Sequence, residues 1–406
     1  MLVILSIITF LCCYLYTQPS HNLLDLDQDY NFFIAANFYN SESSLQYSLP
    51  ELKKVISMLN RGDNIFISFA ENGSKDNTFM ILQDFLNNTN VRYNLLHCNE
   101  SGILNWKMRT ILGEKHTLKA VKNLPALRYA RMAMLRNLAL KPLYNNPFTN
   151  GLPIKVLFLN DIYFTATDLL NLISTRKGNY DIACGLDFYY QFYDILVSRD
   201  IKGHWFSGFY PFFHDLKSRE NLTSSLPIKV QSCWNGMVSM NAEGFLNKSI
   251  MFRGREYNYK DTCECVQSEC LLICVDFIRA GLDQIYINPN VRVSYEWKYY
   301  MMHNFPLLRF LVEVYQSLFF EYDDGKRTLI DDNVGNVDGE KGGVMRIGCD
   351  MPPYWENYKT NKFINIQKGT CEVPPLEFEA YRNYEKWLEF EKEYYVMYEK
   401  NFLNKC

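Results

Sequence analysis

Short apolar runs and longer segments with helical spacing alternate along the first half of the chain. The strand-length runs are Phe32–Asn37, Asn64–Phe69, Val91–Leu96 and Ile154–Leu159. Segments with apolar residues at helical spacing separate them, at 45–59, 78–86 and 127–143. This alternation predicts an α/β fold built from βαβ units, with a mostly parallel central sheet flanked by helices.

Polar residues follow two of these runs directly, and ligands of such folds bind beyond the carboxyl ends of strands. In the segment ENGSKDNT (71–78), Glu71 and Asp76 are candidates to bind the base or ribose of a nucleotide. Alternatively, Ser74 or Asp76 caps the next helix. After the second run comes Asn160-Asp161. The Asp161 carboxylate is a candidate ligand for Mg²⁺ or Mn²⁺ beside a diphosphate leaving group, unless it caps a helix near Thr167.

A further group of polar and aromatic residues indicates a sugar site. Asp187 lies in ACGLDF, Asp194 in YDILVSRD, and Trp234-Asn235 in SCWNG. Aromatic rings stack on sugar C–H surfaces, whereas carboxylates and amides hydrogen-bond to hydroxyls. A single tryptophan is more often a core residue, so the combination carries the prediction.

Three charged residues fall on predicted helices. Arg136 lies within 127–143 and is a candidate to face a diphosphate, although most basic residues on helices are solvated. Glu269 and Asp276 are seven residues apart in SECLLICVDFIRAGL, so they share one helix face. Because a buried charge is costly without a partner or a purpose, each is a candidate to orient an acceptor hydroxyl or to act as a base.

The first residues predict passage into the secretory lumen. Residues 1–17 are uncharged and almost wholly apolar, at the lower limit of the about 17–25 residues that span a membrane. We interpret them as an uncleaved signal anchor followed by a stem at 18–30. A cleaved signal peptide or a core segment are the alternatives.

Sequons and cysteines agree with that compartment. N-x-Ser/Thr sequons begin at Asn72, Asn87, Asn99, Asn221 and Asn247. Ten of the twelve cysteines lie beyond the anchor, which is compatible with disulfides. The dense group of cysteines at 263, 265, 270 and 274 matches no common zinc module, so buried or disulfide-bonded cysteines are expected there rather than zinc.

Composition and missing motifs exclude several classes of function. The 406 residues are 48% hydrophobic and 16% aromatic, as in a folded globular protein. The net charge is −3 and there is no basic block, so no nucleic-acid partner is expected. No G-x-G-x-x-G or G-x-x-x-x-G-K-[ST] occurs at the strand ends, which disfavours dinucleotide oxidoreductases and P-loop proteins.

Taken in order, nine segments resemble the fungal cryptococcal-type α-1,3-mannosyltransferase family, which is related to proteins of capsule polysaccharide synthesis. The segments are FIAANFYNSE (33–42), NIFISFAENGSKDNT (64–78), RMAMLRNLALKPL (131–143), VLFLNDIYF (156–164), YDIACGLDF (180–188), YDILVSRDIKG (193–203), VQSCWNGMVSMNA (230–242), SECLLICVDF (268–277) and INPNVRVSYE (287–296). Each is weak alone, but nine in sequence make a chance resemblance improbable.

The resemblance implies a glycosyltransferase-A-like catalytic domain within 31–300. It fades after Glu296, and the aromatic and charged extension at 301–406 is expected to pack on the catalytic domain. The resemblance further implies a type II Golgi membrane protein with a lumenal domain, possible membership of a glycan-synthesis complex, GDP-mannose as donor, and Mn²⁺ or Mg²⁺ as cofactor. The expected reaction transfers mannose to a glycan hydroxyl, forming an α-1,3 linkage with retention.

The positions that match family motifs are Glu71, Asp76, Asn160, Asp161, Asp187, Trp234, Asn235 and Glu269. The individual roles are our own inference. The expected donor-binding residues are Asn37, Glu71, Asp76, Arg136 and Asn160. Asp161 is the expected metal ligand, the expected substrate-binding residues are Asp194, Trp234 and Asn235, and the expected catalytic ones are Glu269, Asp187 and Asp276.

Two departures keep alternatives open. Asn160-Asp161 is not a full D-x-D metal motif, and cysteines surround the late acidic motif densely. A catalytically silent paralogue that binds glycans or serves as a scaffold is one alternative. A transferase with another sugar donor is the second. A glycoside hydrolase is less favoured, because no clear pair of catalytic carboxylates emerges.

Overall fold

The computed structural model describes residues 24–97, 125–248, 250–253 and 268–319. Within them, one eight-stranded sheet has the order β3-β2-β1-β4-β7-β5-β8-β6. The strands are β1 (Asn31–Phe38), β2 (Ile65–Glu71), β3 (Arg92–His97), β4 (Ile154–Leu159), β5 (Ile182–Phe188), β6 (Ile228–Lys229), β7 (Met237–Asn241) and β8 (Ile285–Ser294). The α-helices are α1 (Glu42–Leu59), α2 (Thr78–Asn87), α3 (Pro125–Leu140), α4 (Ala166–Ile173), α5 (Leu216–Thr223), α6 (Glu243–Leu246), α7 (Glu269–Arg279), α8 (Trp297–Asn304) and α9 (Pro306–Phe319).

The sheet is mostly parallel, as the alternation of apolar runs predicts. Strands β1, β2, β3 and β4 pair in parallel, and so do β5 and β8. Strand β7 runs antiparallel between β4 and β5, and β6 is antiparallel to β8 at the edge. Six of the eight strands therefore share one direction. The reversed strand in the middle of the sheet was not predicted.

Helices cover both faces of the sheet. On β1, Phe33 and Ala35 contribute to a core cluster that includes residues of α3 and α7. Their neighbours Phe32 and Ile34 contribute to the cluster on the other face, with residues of α1, α2 and α4. Since successive side chains of a strand point to opposite faces, a wholly apolar run such as β1 is what a sheet buried on both faces requires.

The reversed strand determines where polar residues meet. The carboxyl ends of β1, β2, β4, β5 and β8 lie at one edge of the sheet, and the amino end of β7 lies at that same edge. The loop before β7 therefore meets the residues that follow β4 and β5. This carboxyl edge is where the sequence places most of the candidate residues.

A disulfide fastens the same region. Cys184 on β5 is bonded to Cys233 in the loop before β7, across 49 positions of sequence. Cys270 and Cys274 on α7 are buried and free, and the rest of the dense cysteine group lies outside the described residues. Within the described ranges, no group of three or more His, Cys, Asp or Glu side chains is placed to hold a metal ion.

The described chain extends beyond the predicted catalytic domain at both ends. Leu26, from the predicted stem, packs on the core and Tyr30 is buried in it. At the other end, α8 crosses the predicted boundary at residue 300, and the buried Arg292 guanidinium donates to Glu313 of α9 at 3.0 Å. No helix in the described ranges is long and apolar enough to span a membrane. The predicted anchor and most of 301–406 lie outside these ranges.

Candidate functional site

Hydrogen bonds cross-link the two loops that follow β1 and β2. The backbone N–H of Asn40 donates to Ser74 Oγ at 2.9 Å, and the N–H of Lys75 donates to Asn40 Oδ1 at 2.8 Å. Asn40 has a φ of 51°, in the left-handed region that asparagine tolerates. The two loops therefore form one fixed surface at the carboxyl edge. Asn37 lies just before it, half-buried at the end of β1.

Glu71 shapes this surface from below. Its carboxylate is buried and accepts the backbone N–H groups of Gly73 at 3.2 Å and Ser74 at 2.6 Å, and it contacts His97 Nδ1. Gly73 has a φ of 69°, which a side chain would disfavour. In this structure Glu71 therefore holds the loop in place.

Asp76 bridges the same loops. One oxygen accepts the backbone N–H of Glu42 at 3.1 Å, and the other accepts that of Thr78 at 3.1 Å. Burial raises the pKa of Asp76, but the hydrogen bonds from Thr78 and Glu42 outweigh it and leave the pKa below its usual value. Helix α2 begins after Asn77, so neither Ser74 nor Asp76 is its N-cap residue.

A buried polar network lies beneath the end of β4. Arg136 Nε donates to Glu269 Oε1 at 3.1 Å, and both side chains are about 5% exposed or less. The same guanidinium donates to Asn160 Oδ1 at 3.4 Å and lies 4.1 Å from the centre of the Trp234 ring. Asn160 Oδ1 also accepts from Trp234 Nε1 at 3.2 Å, and Asn160 Nδ2 donates to the Tyr295 hydroxyl at 2.9 Å. The network joins α3, α7, β4 and the loop before β7.

Four residues predicted from separate motifs are thereby brought together: Arg136, Asn160, Trp234 and Glu269. The buried ion pair keeps Arg136 in contact with Glu269 and Asn160 instead of extending it into solvent. Tyr295 is an additional member that the sequence reasoning missed. It directly follows β8, so the same rule that identified Asn160, a polar residue after an apolar strand, would have found it.

Asp161 is the accessible carboxylate of this region. Its side chain is exposed, although surrounding protein desolvates the carboxylate and raises its pKa, an effect that the charge of Arg136 partly opposes. It does not cap the following helix, because Thr165 is the N-cap of α4 and forms a capping box with Asp168. In the described chain, Asp161 forms no ion pair. Its carboxylate therefore remains available to a ligand.

Asp187 and Asp194 form a carboxylate pair next to this network. Asp187 Oδ1 accepts the backbone N–H of Asp194 at 3.2 Å, and Asp194 Oδ2 accepts that of Asn235 at 3.1 Å. Burial raises the pKa of both carboxyl groups, and the neighbouring Asp194 charge raises that of Asp187 further. Asp187 Oδ2 is buried and has no hydrogen-bond partner among the described residues. A pair of this type favours holding a proton.

The loop before β7 is fixed by its own backbone. Asn235 and Gly236 have φ values of 55° and 73°, so the chain turns through the left-handed region at both positions. The Asn235 side chain accepts from Ser198 Oγ at 2.8 Å and donates to the Gly185 carbonyl at 2.7 Å. The carbonyl of Gly236 accepts the backbone N–H of Asn160 at 2.9 Å. These bonds lock the loop to the end of β4.

Asp276 lies apart from these residues. Its two oxygens accept from Arg253 at 2.8 Å each, and Arg279 approaches to 3.7 Å. Although Asp276 and Glu269 share helix α7, Asp276 belongs to a separate ion-pair group. The other predicted residues lie either in the cross-linked loops or in the cluster around Asn160 and Asp187.

The structure is that of an α/β protein with acidic and polar side chains gathered at the carboxyl edge of its sheet. The sequence family described as Cryptococcal mannosyltransferase 1 matches residues 31–276. The match spans more than half of the chain, so the chain belongs to this family. The resemblance drawn from the nine segments is confirmed.

One relative is similar to part of the chain. The alpha-1,3-mannosyltransferase CMT1 of Cryptococcus neoformans var. neoformans serotype D is 30% identical over 188 residues, which cover 42% of this chain and 40% of that protein. The chain thus aligns with less than half the length of this relative.

Among solved structures, similarity is remote. TarS 1–349 of S. aureus has a TM-score of 0.35 and 13% identity, covering 72% of this chain and 67% of that one. The mannosyltransferase PcManGT of Pyrobaculum calidifontis, in complex with GDP-Man and Mn²⁺, has a TM-score of 0.37 and 8% identity, covering 78% and 72%. At such low scores these similarities carry no weight for this chain.

Proposed function

We propose that this protein is a glycosyltransferase that moves mannose from GDP-mannose to a hydroxyl of a glycan. The observation that carries the proposal is the family match over 31–276, because that range contains the cross-linked loops, the carboxylate pair and every member of the buried network except Tyr295. The domain is proposed to have a glycosyltransferase-A-like fold, and the product an α-1,3 linkage with retained configuration.

The cross-linked loops after β1 and β2 are the proposed nucleotide side. Ligands of open α/β sheets bind beyond the carboxyl ends of the strands, and here that edge presents loop backbone held by Glu71 and Asp76. Asn37 lies near the end of β1, just before the first of these loops, and is proposed to contribute a contact with the nucleotide. The Glu71 and Asp76 carboxylates fix the loop, and the loop backbone and the neighbouring Asn37 amide are the groups proposed to contact the base and ribose.

Asp161 is the proposed protein ligand of a divalent metal. Mg²⁺ and its relatives are often held by one or two carboxylates together with substrate phosphates, so one accessible carboxylate fits a metal that arrives with the diphosphate. Such a metal neutralises charge that develops on the leaving diphosphate. Within the chain, Arg136 adds positive charge near Asp161 while remaining paired with Glu269.

The carboxylate pair and the tryptophan loop are the proposed sugar side. Asp194 has a raised pKa because of burial, which suits a group that takes a proton from an acceptor hydroxyl. Asn235 and Trp234 hold the loop in which sugar hydroxyls would be bound. Glu269 is proposed to act through Arg136 and Asn160, as a positioning residue, since its carboxylate is buried beneath them.

A lumenal location, with the catalytic domain on a Golgi type II anchor, is part of the proposal. The disulfide between Cys184 and Cys233 supports an oxidising compartment. Asn87 and Asn247, two of the sequon asparagines, are exposed and thus open to glycosylation.

The experiment is a donor screen. Residues 18–406, expressed in a secretory host, are incubated with a panel of nucleotide sugars with and without Mn²⁺, and binding and slow donor hydrolysis are measured. Selective, metal-dependent turnover of GDP-mannose supports the proposal. Selective turnover of another donor would keep the transferase and replace the sugar. Folded protein that binds no nucleotide sugar would point to a catalytically silent paralogue.

A further inference from the structure

Four tyrosine rings form a continuous row that leads from α8 to the polar site. The Tyr299 and Tyr189 ring centres are 5.0 Å apart, those of Tyr189 and Tyr193 6.2 Å, and those of Tyr193 and Tyr295 5.0 Å. The last ring reaches the buried network, because the Tyr295 hydroxyl accepts from Asn160 Nδ2 at 2.9 Å. We call these four residues the tyrosine row.

The two middle rings of the row are exposed, whereas Tyr295 and Tyr299 at its ends are partly buried. Tyr189 is 41% exposed and Tyr193 49%. Their ring planes meet at 38°, so neither ring covers the face of the other. A second aromatic group nearby is different: Trp297 stacks nearly flat on Tyr47 and on Tyr300, at 17° and 19°. Trp297 and Tyr47 are exposed to a similar extent, at 45% and 49%, but their ring faces lie against each other. The tilted rings of Tyr189 and Tyr193 leave their faces open to a ligand.

The position of the row relates it to one side of the site. The nucleotide-side loops follow β1 and β2, on one side of β4, whereas the row follows β5 and β8, on the other side. Tyr193 directly precedes Asp194, and its backbone N–H donates to the Asp187 carbonyl at 3.0 Å. A ligand lying on the row therefore ends beside the carboxylate pair and opposite the nucleotide loops.

We propose that the tyrosine row binds the acceptor glycan, with its rings stacked on the C–H faces of pyranose units. Tyrosine suits this ligand, because its ring offers an apolar face and its hydroxyl a polar end, matching the two kinds of surface on a sugar. Contiguous exposed apolar patches on proteins commonly mark ligand-binding grooves. The inference rests on the proposed function and adds to it the place where the acceptor lies.

The test separates acceptor from donor binding. With α-1,3-linked mannotriose as the acceptor probe and GDP-mannose as donor, Tyr189→Ala is expected to raise the acceptor KM about tenfold, the loss expected for one stacked ring. The donor KM is expected to change less than twofold. Tyr189→Phe keeps the ring and should retain the wild-type acceptor KM. Tyr93→Ala removes an equally exposed tyrosine from β3 and is the matched control.

Failure of this inference is distinct from failure of the proposed function. Normal GDP-mannose turnover with an unchanged acceptor KM in Tyr189→Ala would overturn the acceptor site and leave the transferase intact. If the wild type turns over no GDP-mannose, mannotriose binding is measured directly by saturation-transfer NMR. Binding that weakens about tenfold in Tyr189→Ala would then still support the row. Binding that does not weaken, or mannotriose that does not bind, would overturn it.

Discussion

The buried ion pair between Arg136 and Glu269 allows a prediction that separates its effect on protein stability from its effect on activity. The two charged groups approach to 3.1 Å, and each side chain is about 5% exposed or less. At an effective dielectric constant of about 20, their attraction is about 5 kcal/mol. Removing one partner leaves an uncompensated buried charge and typically costs about 3–5 kcal/mol.

Replacement of both partners should behave differently. Arg136→Met and Glu269→Met are each expected to lower the free energy of unfolding by about 3–5 kcal/mol, whereas the double variant is expected to lie within about 1–2 kcal/mol of the wild type. The methionine at 136 still packs against the Trp234 ring. Transfer activity should nevertheless be lost in the double variant, because the Asn160 side chain, next to the proposed metal ligand Asp161, loses its hydrogen bond from Arg136.

Urea denaturation of the four proteins gives the coupling energy between the two positions. Lys217→Ala, which removes an exposed ion pair with Glu220, is the control and should leave the denaturation midpoint unchanged. Single variants that lose less than about 1 kcal/mol, or a double variant as unstable as the sum of the singles, would refute the assignment of a buried, mutually compensating pair.

Two further predictions concern stability. Replacing both Cys184 and Cys233 by alanine opens a loop of 49 positions. The unfolded chain gains entropy, so the free energy of unfolding should fall by about 4 kcal/mol. A thermal midpoint that is unchanged under non-reducing conditions would argue against the disulfide. Burial lowers the pKa of Lys155 from 10.5 to about 7. Between about pH 7 and pH 10.5, Lys155 is protonated in the unfolded chain and neutral in the folded one, so folding releases a proton in this pH range. Stability should therefore rise with pH across that window, by at most about 5 kcal/mol, and a Lys155→Met variant that shows the same rise would contradict this.

Much of the fold is readable from apolar patterning. The runs at 32–37, 64–69, 91–96 and 154–159 correspond to β1–β4. For β1, β2 and β4 the reason is that a strand buried on both faces needs an apolar residue at nearly every position, whereas β3 is a largely exposed edge strand. The reversal of β7 could not be read in the same way. Strand β7 has only five residues, MVSMN, and their apolar pattern does not specify the direction of the strand. Its direction depends on β4 and β5, the strands that flank it.

The site shows the same division. Asn160 and Asp161 were found because they directly follow an apolar strand, and that strand end is indeed at the carboxyl edge. The ion pair between Arg136 and Glu269 could not be found, since 133 positions separate its members and only the packing of α3 against α7 brings them together. The individual roles of these residues remain predictions.

The most direct test of the central claim is the rate of mannose transfer from GDP-mannose as a function of Mn²⁺ concentration, compared between the wild type and Asp161→Asn. Asp161 is exposed, so the substitution should leave thermal stability unchanged. The account predicts a Mn²⁺-dependent wild-type rate and a loss of about 100-fold or more in the variant, as expected when several kcal/mol of metal-assisted charge stabilisation disappears. A folded variant with the wild-type rate and the wild-type Mn²⁺ dependence would contradict it.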